Sequence, residues 1–306
     1  MNIYSTLNEH ESRKVYCIDA SSLRLLACPQ KFINTVVRGL KLEGEKNFKP
    51  AFGIAFHKYK AHYLDTKDHL AAMALGAKYF STVTTAPSSG CWSASCLAEA
   101  MLRDKMQHES YQVLRDKDGK GLVEQKFKIP IYEDTHCVIC ISGTIDMLAV
   151  KSGNYCFGDH KVTQSWSPDE FTGKFILDHQ MMLYSYVLDK LAQTYDAFKD
   201  FRGAPCFINM IRLTATTGLV SFHNSALIQF PAEHILALEE MIKHAIGIIL
   251  DYLDGHNPMQ NFSNCSVYGN CTYFNLCAMG RAQEQFIIDT SYITKPYDPL
   301  KFDEEN

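Results

Sequence analysis

The stretch HCVICISGTIDMLAVKSGNYCFGDHKV, residues 136–162, contains two segments rich in β-branched and aromatic residues, separated by the polar turn Lys151–Asn154. Two such segments joined by a short turn predict an antiparallel hairpin. Asp146 and Asp159 lie 13 residues apart in it, a separation that a hairpin closes so that the two carboxylates meet on neighbouring strands. The stretch therefore predicts a pair of strands that brings two acids together.

These two carboxylates need a partner. Like charges side by side repel unless a cation lies between them, and oxygen ligands suit magnesium or manganese, which can act on a phosphate. Lys161 follows Asp159 by two residues and so lies on the same strand face, whereas His160 points to the opposite face and offers its backbone carbonyl. An exposed Asp–Lys pair in solvent is the alternative interpretation. Met147 and Phe157 indicate buried strands, which favours the metal site.

Helices are predicted on both sides of this hairpin from the spacing of apolar residues. They run from Ile18 to Leu40 with Ser21 or Ser22 as cap, from Phe52 to Tyr79, from Ser95 to Leu114, from Pro168 to Leu191 and from Ala232 to Leu253. A strand precedes the hairpin at LVEQKFKIPIY, so three strands form an antiparallel meander. Two later strands, CFINMIRLT and GLVSFHNSALIQF, are joined by the turn ATTG.

The composition excludes some classes of protein. The 306 residues carry a formal net charge of -4, so a nucleic-acid partner must be held by a local basic groove or through metal ions. No apolar run approaches the roughly 18 residues of a membrane span, and the polar N-terminus does not resemble a signal peptide. We expect a cytoplasmic protein without membrane contact. Its 11 cysteines are then free thiols rather than a disulfide scaffold.

Three cysteines near the C-terminus have a regular spacing. Cys265, Cys271 and Cys277 follow one another at intervals of six in a segment that contains glycine and asparagine. Three thiols so close together predict binding of a soft metal, and Cys28 near the N-terminus is a candidate fourth ligand. The alternative is three unrelated core cysteines, which the polar segment SVYGN disfavours.

Further motifs give these residues a recognisable order. Gln180 and Tyr184 lie four residues apart and so share one face of a predicted helix. The chain resembles the RecB-like branch of the PD-(D/E)xK nuclease superfamily, which includes iron-sulfur exonucleases of CRISPR-associated and phage type. The motifs that carry the resemblance are His57 in FGIAFHKYKA, Gly143 to Asp146 in GTID, Asp159 to Lys161 in DHK, and Gln180 to Tyr184 in QMMLY.

The resemblance implies an α/β fold with a restriction-endonuclease-like core, in which helices flank a mixed central sheet. It implies a single nuclease domain over residues 1–285, with a helical N-terminal region and a C-terminal cysteine patch, followed by a loosely ordered tail at 286–306. The implied metal ligands are His57, Asp146, Asp159 and the carbonyl of His160. Lys161 would act on the nucleophilic water, and Gln180 and Tyr184 would support the site and touch DNA. Glu124 is a further acidic candidate.

The resemblance also implies the cofactors and the activity. The metal is magnesium or manganese, and Cys28, Cys265, Cys271 and Cys277 hold a four-iron, four-sulfur cluster that joins the N- and C-terminal parts, with zinc as the alternative. Five residues separate Cys265 from Cys271, where the commonest family form has two.

The expected function is a metal-dependent DNA exonuclease acting on single-stranded DNA or duplex ends, in a bacterial cytoplasm or encoded by a phage. The alternative function is a non-catalytic DNA-binding or assembly subunit of a repair, recombination or CRISPR adaptation complex, with a helicase among the candidate partners. Four cations are candidate phosphate contacts or members of a solvated helix face: Arg24, Lys31, Arg38 and Lys41.

Overall fold

The structure is a computed structural model that describes residues 13–42, 48–83, 90–107, 110–164, 167–214, 219–266 and 270–300 of the chain. The strands in these ranges are β1 (Lys14–Ile18), β2 (Leu40–Leu42), β3 (Gln112–Val113), β4 (Val123–Glu133), β5 (Cys137–Lys151), β6 (Asn154–Thr163), β7 (Cys206–Leu213), β8 (Val220–Asn224) and β9 (Tyr292–Thr294). The α-helices are α1 (Ala20–Leu23), α2 (Pro29–Val36), α3 (Phe48–Thr66), α4 (His69–Val83), α5 (Ala94–Asp104), α6 (Pro168–Gly173), α7 (His179–Thr194), α8 (Ala232–Leu253), α9 (Phe274–Ala278) and α10 (Glu284–Ser291). No helix in the described ranges combines the length and the apolar character needed to cross a lipid bilayer.

The predicted meander is confirmed. Strands β4, β5 and β6 pair antiparallel in chain order. The turn between β5 and β6 places Ser152 and Gly153 at φ values of 51° and 76°, the left-handed backbone that matches the twist of a short hairpin. Strand β7 then pairs parallel to β6, and β8 pairs antiparallel to β7, so the central sheet is mixed as expected.

Strand β5 lies at the centre of the sheet, and two strands share each of its edges. On the first edge β4 pairs with Val138–Met147 and β3 pairs with Ala149–Val150. On the second edge β1 pairs parallel with Cys137–Ile141, and β6 pairs antiparallel with Met147–Lys151. No described strand pairs with residues 142–146 on that second edge, because the β1 ladder ends at Ile141 and the β6 ladder ends at Met147. The interval between the two ladders is a gap in the sheet beside Asp146.

Helices cover both faces of the sheet, which gives the layered α/β architecture of a restriction-endonuclease-like fold. Helices α1, α2, α7 and α8 bury one face, where Phe32, Phe157 and Leu188 belong to one apolar core. Helices α3, α4 and α5 bury part of the other face, where Phe56 packs in one cluster with Ile211 of β7. The gap beside Asp146 therefore opens between two packed helical layers.

The prediction of one continuous helix from Ile18 to Leu40 is wrong. This segment is divided into α1, a 3-10 turn and α2, because Pro29 begins α2 and its ring nitrogen cannot donate a helical hydrogen bond. The cap of α1 is Asp19, whose carboxylate accepts from the Ser22 amide, rather than Ser21 or Ser22. Strand β1 precedes this cap and was not predicted.

The predicted helices from Phe52 to Tyr79 and from Ser95 to Leu114 are also too long. The first is α3 and α4, since Lys67 takes a left-handed φ of 59° that ends α3, and the Asp68 carboxylate accepts from an amide in the first turn of α4. The second predicted helix corresponds to α5, which ends at Asp104. Gln112 and Val113, inside the predicted helix, instead join the sheet as β3.

The helix predicted from Pro168 to Leu191 is α6, a 3-10 turn and α7. The division has a local cause, because the Asp178 carboxylate accepts from the Gln180 and Met181 amides and so starts a new helix. This cap fixes where Gln180 lies on α7. The helix predicted from Ala232 to Leu253 is confirmed as α8.

The C-terminal part is more ordered than predicted. The expectation of a loose tail is wrong for residues 286–300, because α10 and β9 lie there and β9 pairs antiparallel with β2. Tyr292 and Leu300 are buried. Residues 301–306 and the predicted turn at 215–218 lie outside the described residues.

Candidate active site

The gap in the sheet opens into a cavity of about 600 Å³. Side chains reach it from α1, α3, β4, β5, β6 and α7, and from the chain after β9. Seven of the candidate site residues identified from the sequence line it: His57, Glu124, Asp146, His160, Lys161, Gln180 and Tyr184.

Three candidate metal donors meet in this cavity. His57 from α3, Glu124 from β4 and Asp146 from β5 each offer one atom, and these atoms lie within 4.8 Å of one another. Glu124 lies between the β4–β5 pairs Val123–Met147 and Gln125–Ile145 and has a left-handed φ of 48°. Such a backbone costs a residue with a side chain about 1–3 kcal/mol, and strain of this kind is concentrated at functional sites. Here it accompanies the meeting of two carboxylates.

Asp146 connects the donors to β6. Its Oδ2 atom accepts a 2.7 Å hydrogen bond from the His160 amide, at the position where the β5–β6 ladder stops. The same oxygen lies 3.4 Å from His57 Nδ1. The other ring nitrogen of His57, Nε2, lies 2.8 Å from the His160 carbonyl oxygen. The imidazole of His57 therefore lies between two oxygens, Asp146 Oδ2 and the His160 carbonyl oxygen. The family resemblance implied both as metal ligands.

The charges in this group perturb one another. Burial lowers the pKa of His57, but the carboxylates of Asp146, Glu124 and Asp159 raise it overall to about 9. Burial raises the pKa of Asp146, but the charge of His57 and its hydrogen bond lower it overall below its ordinary value. In the metal-free chain a protonated His57 therefore supplies the positive charge beside Asp146.

Asp159 lies behind this group rather than within it. Its carboxylate is 1% exposed, and its Oδ2 atom is 2.8 Å from Lys161 Nζ. Burial raises the pKa of Asp159, and Lys161 lowers it only in part, which leaves a value of about 6. The two acids of the hairpin thus lie on neighbouring strands as expected but hold different partners.

A chain of hydrogen bonds continues from Lys161 to α7. Lys161 Nζ donates to Gln180 Oε1 at 3.0 Å, and Gln180 Nε2 donates to the Tyr184 hydroxyl at 2.9 Å. Burial lowers the pKa of Lys161, but Asp159 and Asp146 raise it overall above its usual value. The amine is therefore a fixed positive charge that faces the cavity.

His160 points away from Lys161, as strand alternation predicts. Its ring is 4% exposed and meets the His57 ring edge-on, with 5.8 Å between the centroids. Burial holds its pKa well below the ordinary value, so the ring is neutral.

The donor set fits a hard divalent cation. Carboxylate oxygens of Glu124 and Asp146 and the carbonyl oxygen of His160 are ligands that magnesium and manganese prefer, and the imidazole of His57 favours manganese. A cation that binds here has to displace the proton of His57.

The four cysteines singled out from the sequence also meet. Cys28, Cys265, Cys271 and Cys277 line one small pocket. The Asn261 amide donates to Cys28 Sγ at 3.5 Å, which ties the C-terminal segment to the start of α2. Burial, with smaller contributions from the three neighbouring thiols, raises the pKa of Cys277 to about 11. The Cys277 thiol therefore carries a proton that a metal has to displace.

The spacing of the thiols bears on the choice of metal. Within the described part of the chain, no three of these sulfur atoms lie within 4.8 Å of one another. A tetrahedral zinc ion with Zn–S bonds of about 2.3 Å brings its sulfurs to about 3.8 Å. Thiolates are ligands of zinc and of iron-sulfur clusters, so the four cysteines are a candidate site for either.

Two of the cations proposed as phosphate contacts already have partners. Arg24 lies 2.7 Å from Asp178, the cap of α7, and Arg38 lies 2.6 Å from Glu284 of α10. These pairs hold the N-terminal helices against their neighbours.

Tyr297 and Asp19 line the cavity and were not singled out from the sequence. The Tyr297 hydroxyl donates to Asp19 Oδ1 at 2.8 Å. They are separated by 278 residues and belong to no motif, so no spacing could have indicated them.

The chain was compared with protein families, curated proteins and solved structures. A family model described as the PD-(D/E)XK nuclease superfamily matches residues 20–278. A search of curated proteins finds no match. Among solved structures, one described as "Putative exonuclease" from Eubacterium rectale is 14% identical, with a TM-score of 0.49 over 92% of this chain and 91% of that chain. A second, described as SSO0001, is 12% identical, with a TM-score of 0.30 over 87% of this chain and 86% of that chain.

Proposed function

The chain belongs to the PD-(D/E)XK nuclease superfamily, and from this premise we propose that it is a metal-dependent deoxyribonuclease of the RecB-like branch. In this proposal it hydrolyses phosphodiester bonds as an exonuclease, on single-stranded DNA or on DNA ends. The observation that carries the proposal is the meeting of His57, Asp146 and Lys161 in one cavity beside the gap in the sheet. A cation site beside a charged amine suits the hydrolysis of a phosphodiester.

The metal ligands in this proposal are His57, Asp146, Asp159 and the carbonyl of His160, and Glu124 adds a further carboxylate. These residues would hold magnesium or manganese, which would supply positive charge to the phosphate and would lower the pKa of the attacking water. Asp146 holds the group together, because it contacts His57 and accepts the His160 amide.

Lys161 supplies the positive charge for the phosphate oxygens. Its ammonium group faces the cavity and is held by Asp159 and Gln180, so it is oriented before substrate arrives. Tyr184 supports Gln180 from the next turn of α7. In the proposal Gln180 and Tyr184 also touch the DNA backbone.

A cleavage assay tests the proposed function directly. End-labelled single-stranded and duplex DNA are incubated with the full chain and magnesium or manganese, and the products are separated by size. Stepwise shortening from one end is the expected result. Binding of DNA without cleavage in either metal would contradict the proposal and would favour the non-catalytic assembly subunit.

Metal binding should release close to one proton near pH 7.5 and should tighten as the pH rises towards 9. His57, with a pKa of about 9 in the metal-free chain, is protonated below that pH and has to lose its proton to bind. Each pH unit below the pKa then costs up to about tenfold in apparent affinity. Titration calorimetry with manganese in two buffers of different ionisation enthalpy counts the protons.

The control for this prediction is His57→Gln, which removes the titrating ring. It should bind manganese more weakly and release almost no proton above pH 7, since Asp159 with a pKa of about 6 is mostly ionised there. Equal proton release in the variant and the parent would show that another group titrates.

In our proposal the thiols of Cys28, Cys265, Cys271 and Cys277 hold a four-iron, four-sulfur cluster. Such a cluster ties the start of α2 to the C-terminal patch, which makes residues 1–285 a single domain. The purified protein should be brown and absorb near 400 nm, as cluster chemistry implies.

Cys271→Ser should lose most of this absorbance and its bound iron. Cys96→Ser, a half-buried thiol outside the patch, is the matched control and should keep both. Stoichiometric zinc without iron in protein prepared under anaerobic conditions would overturn the cluster.

A further inference from the structure

The six residues after β9, Lys295–Leu300, cross from the C-terminal patch back to the catalytic cavity, and we call them the C-terminal strap. The strap begins with a close backbone contact, in which the Lys295 amide donates to the Gly39 carbonyl at 2.9 Å. Gly39 has a φ of +62°, and a Cβ atom there would overlap the Lys295 carbonyl. The first anchor of the strap therefore depends on a glycine.

Two more contacts hold the middle and the end of the strap. The Tyr297 hydroxyl donates to Asp19 Oδ1 at 2.8 Å, and Asp19 is the cap of α1. Lys126 of β4 donates through Nζ to the Leu300 carbonyl at 3.2 Å, and Leu300 is 4% exposed. The strap thus has three anchors, at Gly39, at the cap of α1 and at β4.

The path between these anchors follows the catalytic cavity. Tyr297 and Pro299 line the same space as His57, Asp146 and Lys161. The two elements that the strap joins also line that space, α1 through Asp19 to Ser21 and β4 through Glu124. The strap is therefore one wall of the cavity. It comes from the C-terminal part of the chain, whereas α1 comes from the N-terminal part.

We propose that this wall makes the site selective for a DNA strand that enters by its end, an inference that rests on the proposed nuclease function. A strand end can reach the metal donors and stop against the wall. An unbroken strand has to continue beyond the scissile phosphate in both directions, and on the strap side it meets Tyr297 and Pro299. The Tyr297–Asp19 hydrogen bond keeps the wall in place.

The test compares linear and circular single-stranded DNA of one sequence and length. With the full wild-type chain, linear DNA should be cleaved at least about a hundred times faster than circular DNA. In calcium, which we use as a non-cleaving probe ion, anisotropy competition should show weaker binding of the circle. Wild-type protein that cleaves both forms at similar rates overturns the exonuclease proposal and this inference together.

Variants of the strap should lower this ratio of linear to circular cleavage. Tyr297→Ala should reduce the preference for linear DNA by about tenfold or more, mainly through faster cleavage of circles, and Tyr297→Phe should have a smaller effect because it removes the hydrogen bond and keeps the ring. Tyr195→Ala, a half-exposed tyrosine at the end of α7, is the matched control and should leave the ratio unchanged.

A second variant guards against misfolding of the first. Lys126→Met releases the far end of the strap at Leu300 and should shift the preference in the same direction. An unchanged ratio in Tyr297→Phe and Lys126→Met, with linear cleavage retained, overturns the role of the strap. Failure of the proposed function looks different, because then folded wild-type protein with metal cleaves neither form or cleaves both at similar rates. Failure of the strap alone leaves the wild-type preference for linear DNA in place and unchanged in the variants.

Discussion

Asp146→Asn is expected to lower the turnover of DNA cleavage by at least about a thousandfold, because several kcal/mol of charge stabilisation depend on the metal that Asp146 helps to hold. Asparagine keeps the shape of the side chain, and its oxygen can still accept the His160 amide. What is lost is the negative charge that stabilises a cation beside His57. The fold should survive while the site loses its metal.

Two measurements separate these effects for Asp146→Asn. Manganese titration should show at least about tenfold weaker binding, and the melting temperature should change little. Asp251→Asn, on the exposed side of α8, is the matched control and should retain both activity and metal binding. Full cleavage by Asp146→Asn would remove Asp146 from the metal site.

Lys161→Met is expected to lower turnover by at least about a hundredfold, because it removes a pre-oriented positive charge from the phosphate oxygens. The Lys161 ammonium lies 2.8 Å from Asp159 and 3.0 Å from Gln180, so its position does not depend on substrate. DNA affinity in calcium should stay close to that of the parent. A fall in affinity as large as the fall in turnover would mean that Lys161 only binds DNA.

Asp159→Ala distinguishes two roles for the second acid of the hairpin. If Asp159 is a metal ligand, Asp159→Ala should bind manganese much more weakly than the parent. Lys161→Met should keep the manganese affinity of the parent. In the structure Asp159 contacts Lys161 and lies outside the group formed by His57, Glu124 and Asp146. Unchanged manganese affinity in Asp159→Ala would leave Asp159 as the residue that positions Lys161.

The strands beside the site could be predicted from sequence because their determinants are local. The Ser152–Gly153 turn sets the register of β5 against β6, and in an antiparallel pair that register determines which residues face each other. Alternation then separates His160 from Lys161. The helices were predicted less well, because Pro29, Lys67 and Asp178 each interrupt an apolar spacing that continues past them.

The amino-acid sequence by itself determined the order of the motifs, the meander that carries Asp146, Asp159 and Lys161, and the family that this order resembles. Only the tertiary structure decided which groups share the cavity. It brought Glu124 to His57 and Asp146 through a left-handed backbone, placed Asp159 against Lys161, and returned Tyr297 to Asp19 across 278 residues. The physical reason is that turns and alternation act over a few residues, whereas contacts between distant segments form when whole layers pack and bury their apolar faces.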